Sequence, residues 1–518
     1  MFGLKKLLSD RAFTIELIGF IVLQVFIDIY RVFFESTYQV FGISLPELIN
    51  ISYLMFLSII FFLKHLKKPK LFIPIVVYSF IVSIYLIFHI INILKFDQSI
   101  LTGSELNWFK EVYFIIRTYL IPVFVFYYLV CSNMTMSVFD KVVSLLSFII
   151  SANIVLTNIF KVSFICYASA LEKNSFITRN IFEWFYNPDK ESPVYMTSKG
   201  WFYMGNQIGL ILFILFIFVL MQALKYGNIG RFLLLLLNGI ALIMIGTKVS
   251  AIGCFIALMC GVVFAIVFGR ILKQFTFNLK HIIVYLLISV ILVTISSYSP
   301  MFSVQENRKN AYIVTEEQKE NTEKIVQKFE NTDNESIDYL KFVKEFSEYV
   351  NENPYLFGIE PEFLELLPID ENFDFWYDIV IYGNNRQIDY RTFKSQLYNE
   401  AVNKNNNEFA DKLLGIGYIS NFPYSERDFI SQNIWFGYLG TALFTGPYIL
   451  VVLLGIFMAL KNIKKCFIYQ NAFFAFGIST SLLLSFLAGH LFFGIFSITI
   501  FAFVVAAFYK LQREVYNN

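Results

Sequence analysis

Runs of about twenty mostly apolar residues constrain this chain most, because that is the length a helix needs to cross the hydrocarbon core of a bilayer. Twelve such runs stand near 12–33, 45–63, 71–94, 113–131, 140–161, 205–224, 231–247, 250–268, 280–298, 435–460, 467–487 and 491–509. The composition agrees: of 518 residues 57% are hydrophobic and 15% charged, against about 45–50% and about 25% in soluble domains. The expected fold is an all-α polytopic membrane protein of about twelve transmembrane helices. The first run has no small-residue cleavage site and reads as a retained span.

Between the ninth and tenth runs lies an insert of opposite character. Residues 299–434 hold 25 of the 39 acidic residues and 13 of the 41 basic ones, a net charge of −12. The remaining 14 acids and 28 bases give the rest of the chain +14. Lys5, Lys6, Arg11, Lys64, Lys67, Lys68, Lys141, Lys225, Arg270, Lys461 and Arg513 all fall on one side if the spans alternate. The positive-inside rule then makes both termini cytoplasmic and puts the insert outside. The expected layout is spans 1–9 in residues 1–298, an extracytoplasmic acidic loop or cap in 299–434, and spans 10–12 in 435–518. Within the cap, helix-forming sequence is expected over 315–350, with Leu340, Val343 and Phe346 among its apolar positions, and over 388–405, where Leu397 and Ala401 recur at four-residue spacing. The second outer segment, 162–204, carries Phe182, Trp184, Phe185, Tyr186, Tyr195, Trp201 and Tyr203. These suit either anchoring in the interface or stacking against sugar rings or prenyl chains.

The chain has no glycine-rich phosphate loop, nucleotide fingerprint or metal cluster, only four histidines, and five cysteines without a disulfide pattern. No cofactor is expected and no nucleic-acid partner. Without a visible energy source, any chemistry must draw on an already activated substrate. Ionisable groups at membrane depth are costly and so become functional candidates. Lys248, in Gly246-Thr247-Lys248-Val249-Ser250, is a cation at the outer end of two spans, with Thr247 and Ser250 supplying hydroxyls suited to a phosphate oxygen. As the ordinary alternative it is a snorkelling turn residue. Arg117 stands one turn into the fourth run and either binds a ligand or pairs with a buried carboxylate, Asp28 being a candidate. His490 lies in the last outer turn, and Ser425-Glu426-Arg427-Asp428 precedes the tenth span with two carboxylates around a cation.

With these residues in place the chain resembles the O-antigen polymerase and O-antigen ligase families, glycosyltransferase C class membrane proteins with a large outer loop between the ninth and tenth spans. Gly246-Thr247-Lys248-Val249-Ser250-Ala251-Ile252-Gly253 looks like the family's Ser/Thr-Arg-Gly-x-x-x-Gly segment. Here lysine replaces arginine, which keeps the charge but loses the bidentate fork, and Val249 stands at the first glycine. Asn385-Arg386, a following helix and Gly415-Ile416-Gly417-Tyr418 resemble the family's loop arginine, helix and Gly-x-Gly. Gly437 and Gly440 stand 11 and 14 residues after Glu426, as two glycines follow a histidine in ligases. Glu426 replacing that histidine favours a polymerase-like member.

The resemblance implies polymerisation of lipid-diphosphate-linked oligosaccharide repeats at the outer face of a bacterial cytoplasmic membrane. The glycosyl transfer would be inverting and metal-independent, on an undecaprenyl-diphosphate-linked glycan, with a chain-length regulator and a flippase as further partners. It implies Lys248 and Arg386 as a diphosphate clamp with Arg117, Thr247, Ser250 and Tyr418 in support, and Glu426 as general base with Asp428 and His490 in reserve. Ligase-type transfer to another acceptor is the neighbouring reading. A flippase or transporter is a non-enzyme alternative, but it predicts internal repeats and charges near mid-membrane. A sensor or scaffold would not require Lys248, Arg386 and Glu426 together.

Overall fold

The computed structural model describes residues 8–34, 39–40, 43–100, 106–167, 176–189, 191–275, 279–310, 320, 323–324, 327, 338–357, 359, 361–382, 390–405, 407–418, 427–461 and 463–517. Eleven helices among them are long and apolar enough to cross a membrane. In chain order they begin with α1 (Asp10–Phe34), α2 (Leu45–His65), α3 (Pro69–Ile93), α4 (Trp108–Cys131), α5 (Met136–Ile159) and α6 (Gly205–Tyr226). A shorter apolar helix, α7 (Ile229–Ile245), answers to the seventh run. Then come α8 (Lys248–Ile271) and α9 (Leu279–Val304), two helices of the insert, α10 (Asp338–Glu352) and α11 (Tyr390–Lys404), and finally α12 (Asp428–Lys461), α13 (Tyr469–Leu487) and α14 (Ile495–Val515). The chain is an all-α, multi-span membrane protein.

It falls into two compact units. The first comprises Met1–Val82, Tyr113–Val304 and Ala442–Asn518. Its centre is α6, whose 18-residue apolar window is wholly buried, packed against α5, α7, α8 and α13. Lipid-facing helices bury one side only. A helix apolar all round and wholly enclosed is the axis the others pack on. The segment between α5 and α6 is itself tied down: Ser198 N–H donates to Met244 O (2.8 Å), Lys199 N–H to Phe164 O (3.0 Å) and Phe164 N–H to Gly200 O (3.0 Å). Of its aromatics, Trp184 is buried, while Phe182, Phe185, Tyr186 and Tyr195 are exposed.

The second unit comprises Ser83–Val112 and Gln305–Thr441. The buried stripe of α10 is Phe342, Phe346 and Val350, recurring at four-residue spacing. Leu340, expected on that face, lies two residues off the stripe and is 78% exposed. Phe346 packs on Phe373 and Tyr377, with ring centroids 5.2 and 5.7 Å away. The Trp376 indole N–H finds Leu367 O at 2.7 Å. In α11, Leu397 and Ala401 are buried, as the spacing predicts, and so is Tyr398.

Candidate functional site

The corner between α7 and α8 is built by caps. α7 ends at Gly246, whose φ of 70° turns the chain, and Thr247 takes the N-cap of α8. The Thr247 hydroxyl oxygen accepts the Ser250 N–H at 3.3 Å, and the Ser250 hydroxyl reaches Thr247 O at 3.0 Å and Thr247 Oγ1 at 2.9 Å. Both hydroxyls are buried in this cap. A helix start leaves four backbone N–H groups without intrahelical acceptors. Here Ser250 is capped by Thr247 Oγ1, and Ala251 makes the first intrahelical bond, to Thr247 O at 3.0 Å, so of the helix's own residues Lys248 and Val249 keep amides with no acceptor among the described residues.

Lys248 is the first helical residue, is exposed, and has no ion pair among the described residues. A cation at a helix N-terminus opposes the helix dipole, a cost of about 0.3–1 kcal/mol. Amides without an acceptor, and a cation of the wrong sign for its own helix, are the donors that an anion at a helix N-terminus would use.

Arg117 sits differently. It lies in a π-helical stretch, Ile116–Leu120, within α4, a local distortion frequent at functional positions. Its partner is Glu47, not the Asp28 considered from sequence. Glu47 is the third residue of α2 and closes a capping box with Ser44. It accepts Ser44 Oγ–H at 2.7 Å as well as the Tyr113 hydroxyl and the Arg117 guanidinium. Asp28 instead accepts the Tyr203 N–H at 3.0 Å. Breaking a buried pair costs about 3–5 kcal/mol; because Arg117 is one-third exposed, Glu47→Ala is expected to cost about 2 kcal/mol. Thermal unfolding in detergent checks this, with an Arg117→Ala cycle to isolate the coupling.

His490 is buried, with Nε2 3.4 Å from Asn206 Nδ2. Its φ of 72° places it in the left-handed region. Lys199 is likewise buried, donates to Tyr203 O at 2.9 Å, and burial pushes its ammonium below the usual lysine range.

In the second unit the two glycine motifs meet. Ile416 N–H donates to Ile434 O and Gly417 N–H to Trp435 O, both at 2.9 Å. The half-buried Tyr418 stacks edge-on against Trp435 with ring centroids 5.1 Å apart, and its N–H donates to Glu111 Oε2 at 2.6 Å. Asp428, at the start of α12, is buried. Arg386 and Glu426 lie outside the described residues.

The family model described as O-antigen ligase like membrane protein matches residues 11–511. The chain belongs to this family. No curated protein and no solved structure matches it. Membership in the O-antigen ligase-like family assigns the chain to glycosyltransferase-type glycan transfer in surface-polysaccharide biosynthesis. Within this family member the first unit carries Lys248, Thr247, Ser250, Arg117 and His490, and the second carries Tyr418 and Asp428. Glu47, His89 and Glu111 were missed from sequence. The criterion that selected Arg117, an ionisable residue in or beside a span, selects them too, and Ser44-Leu45-Pro46-Glu47 is a capping-box signature.

Proposed function

We propose that this O-antigen ligase-like protein polymerises lipid-diphosphate-linked oligosaccharide repeat units at the outer face of a bacterial cytoplasmic membrane. The observation carrying the proposal is the N-terminus of α8, where the exposed Lys248 and two spare amides suit a diphosphate. Negative charge grows on that group as it leaves, and preorganised donors aimed at developing charge are the largest source of catalysis in such reactions. The resemblance of the Asn385-Arg386 stretch supports Arg386 as a second cation. Arg117 is held in a pair with Glu47, which makes it a weaker third.

The acceptor hydroxyl attacks the anomeric carbon, the bond from that carbon to the diphosphate oxygen breaks, and the hydroxyl proton passes to a base. Direct attack inverts the anomeric configuration. Glu426 is the base on the motif resemblance. Asp428 and His490 are buried, which sets them apart from an incoming hydroxyl and leaves them in reserve. Fixed cations at the leaving group supply the charge that a metal would otherwise bring, so chelation with EDTA is expected to leave turnover unchanged.

Ligase-type transfer to a separate acceptor is the second reading, favoured by the family's description. The test uses purified protein in proteoliposomes with a synthetic prenyl-diphosphate oligosaccharide and gel-resolved glycolipids. A ladder of lengthening products supports polymerisation. Transfer only to an added acceptor means ligation. Movement of the lipid between leaflets with no covalent product overturns both readings.

A further inference from the structure

The last turns of α3 carry a polar stripe in an otherwise apolar span: Tyr85, His89 and Asn92, at the i, i+4, i+7 spacing of one helix face. All three are buried, and each binds backbone of the second unit. The Tyr85 hydroxyl donates to Phe436 O at 2.7 Å, and Asn92 Nδ2 to Gly415 O at 3.0 Å and to Asp411 Oδ1 at 2.8 Å. His89 Nδ1 lies 2.7 Å from Leu414 O. A carbonyl only accepts, so Nδ1 carries a hydrogen. On the other side His89 Nε2 lies 3.0 Å from Glu111 Oε1, so one proton is shared between them. The second oxygen of Glu111 accepts the Tyr418 N–H. An unbroken chain therefore runs from Leu414 through His89 and Glu111 to Tyr418, spanning both ends of the glycine strand 415–417. His89 is fully buried, which keeps it from substrate.

We infer that His89 and Glu111 are positioning residues for glycan transfer, fixing the Gly415–Tyr418 strand through their hydrogen bonds. The inference rests on the function proposed above. A buried ionisable pair is seldom the cheapest way to hold a fold together, and its best-attested use is to fix register. What is fixed here is the strand ending at Tyr418, a residue the family resemblance places at the substrate.

The role depends on hydrogen bonds, not on the carboxylate's charge, and this separates it from chemistry. In Glu111→Gln the amide oxygen still accepts the Tyr418 N–H while the NH₂ donates to His89 Nε2. That needs the tautomer with hydrogen on Nδ1, which Leu414 O already requires. In Glu111→Ala both partners lose their bond.

The experiment compares wild type, Glu111→Gln, Glu111→Ala and His89→Ala in proteoliposomes with the synthetic prenyl-diphosphate oligosaccharide. Amide exchange at Tyr418 is followed by mass spectrometry on the same samples. Misplacement by about 1 Å costs about 10²-fold. Both alanine variants are therefore expected to lose kcat by about 10²-fold with KM within about twofold, while Glu111→Gln keeps kcat within about threefold. The Tyr418 amide is expected to be protected in wild type and Glu111→Gln and to exchange faster in Glu111→Ala. Alanine variants with wild-type kcat would overturn the inference, as would a Glu111→Gln variant as impaired as Glu111→Ala. A wild type that makes no product sinks the proposed function. Exchange at Tyr418 then still decides the hydrogen-bonded clamp, which is overturned if all variants exchange alike.

Discussion

Lys248→Ala is expected to lower glycan transfer by about 10²–10³-fold, the usual loss on removing one preorganised donor to a developing anion, while leaving the fold intact. Lys248 is exposed and has no ion pair among the described residues, so its removal breaks no native contact of that kind. The helix dipole adds a second, opposite sign. A cation at the first position of α8 is destabilising by about 0.3–1 kcal/mol, so Lys248→Ala should unfold at a slightly higher temperature than wild type. Lower activity with unchanged or higher stability is the signature of a residue retained for function against its own helix. Lys248→Arg restores the charge and adds a bidentate fork, and is expected to stay within about tenfold of wild type. Initial rates from the glycolipid ladder, alongside thermal unfolding, give both readouts. Wild-type turnover in Lys248→Ala would remove the N-terminus of α8 from the site. Equal losses of activity and stability would make Lys248 an ordinary structural residue.

The spans were legible because hydropathy over about twenty residues is a bulk property, insensitive to which face of a helix is buried. The same averaging hides what holds the second unit together internally. α3 has a mean hydropathy of 2.5 over its apolar window, and Tyr85, His89 and Asn92 vanish into it although they share one face. Glu111 lay just before the run counted at 113–131. Arg117 is legible as a misplaced charge, but its partner depends on which side chains lie level with it: α1 and α2 both pack on α4, and Glu47 rather than Asp28 meets it. The tenth span shows a third limit. Its apolar run begins near 435, whereas α12 begins at Asp428 and is interrupted at Gly437 by non-helical backbone. The glycine motifs could be matched as spacings in sequence. Their physical reason, the meeting of two distant backbone segments, needed the structure.

Gly415→Ala and Gly437→Ala are each expected to destabilise the second unit by about 3–5 kcal/mol. Gly415 has φ 86° and ψ 162°, and Gly437 φ 65° and ψ −177°. Both fall in a region used almost only by glycine, worth about 1–3 kcal/mol of strain for any other residue. Space is denied as well. A Cβ on Gly415 would strike the backbone of Trp435 and Phe436, and one on Gly437 the backbone of Leu413 and Leu414. Main chain cannot swing aside as a flexible side chain can. Relief requires the segments to part, which surrenders the Ile416–Ile434 and Gly417–Trp435 hydrogen bonds, about 1 kcal/mol each. Gly446 is the control, because a Cβ there meets nothing within 4 Å and it lies inside α12. Gly446→Ala is therefore expected to be near neutral, because the gain of up to about 1 kcal/mol from helix propensity is offset by the restriction that Pro447 places on a preceding residue with a Cβ. Thermal unfolding in detergent, with limited proteolysis of residues 299–434, separates the cases. If Gly415→Ala and Gly437→Ala behave like Gly446→Ala, the two segments do not cross at van der Waals distance. The strand that His89 and Glu111 hold would then be set by those side chains alone.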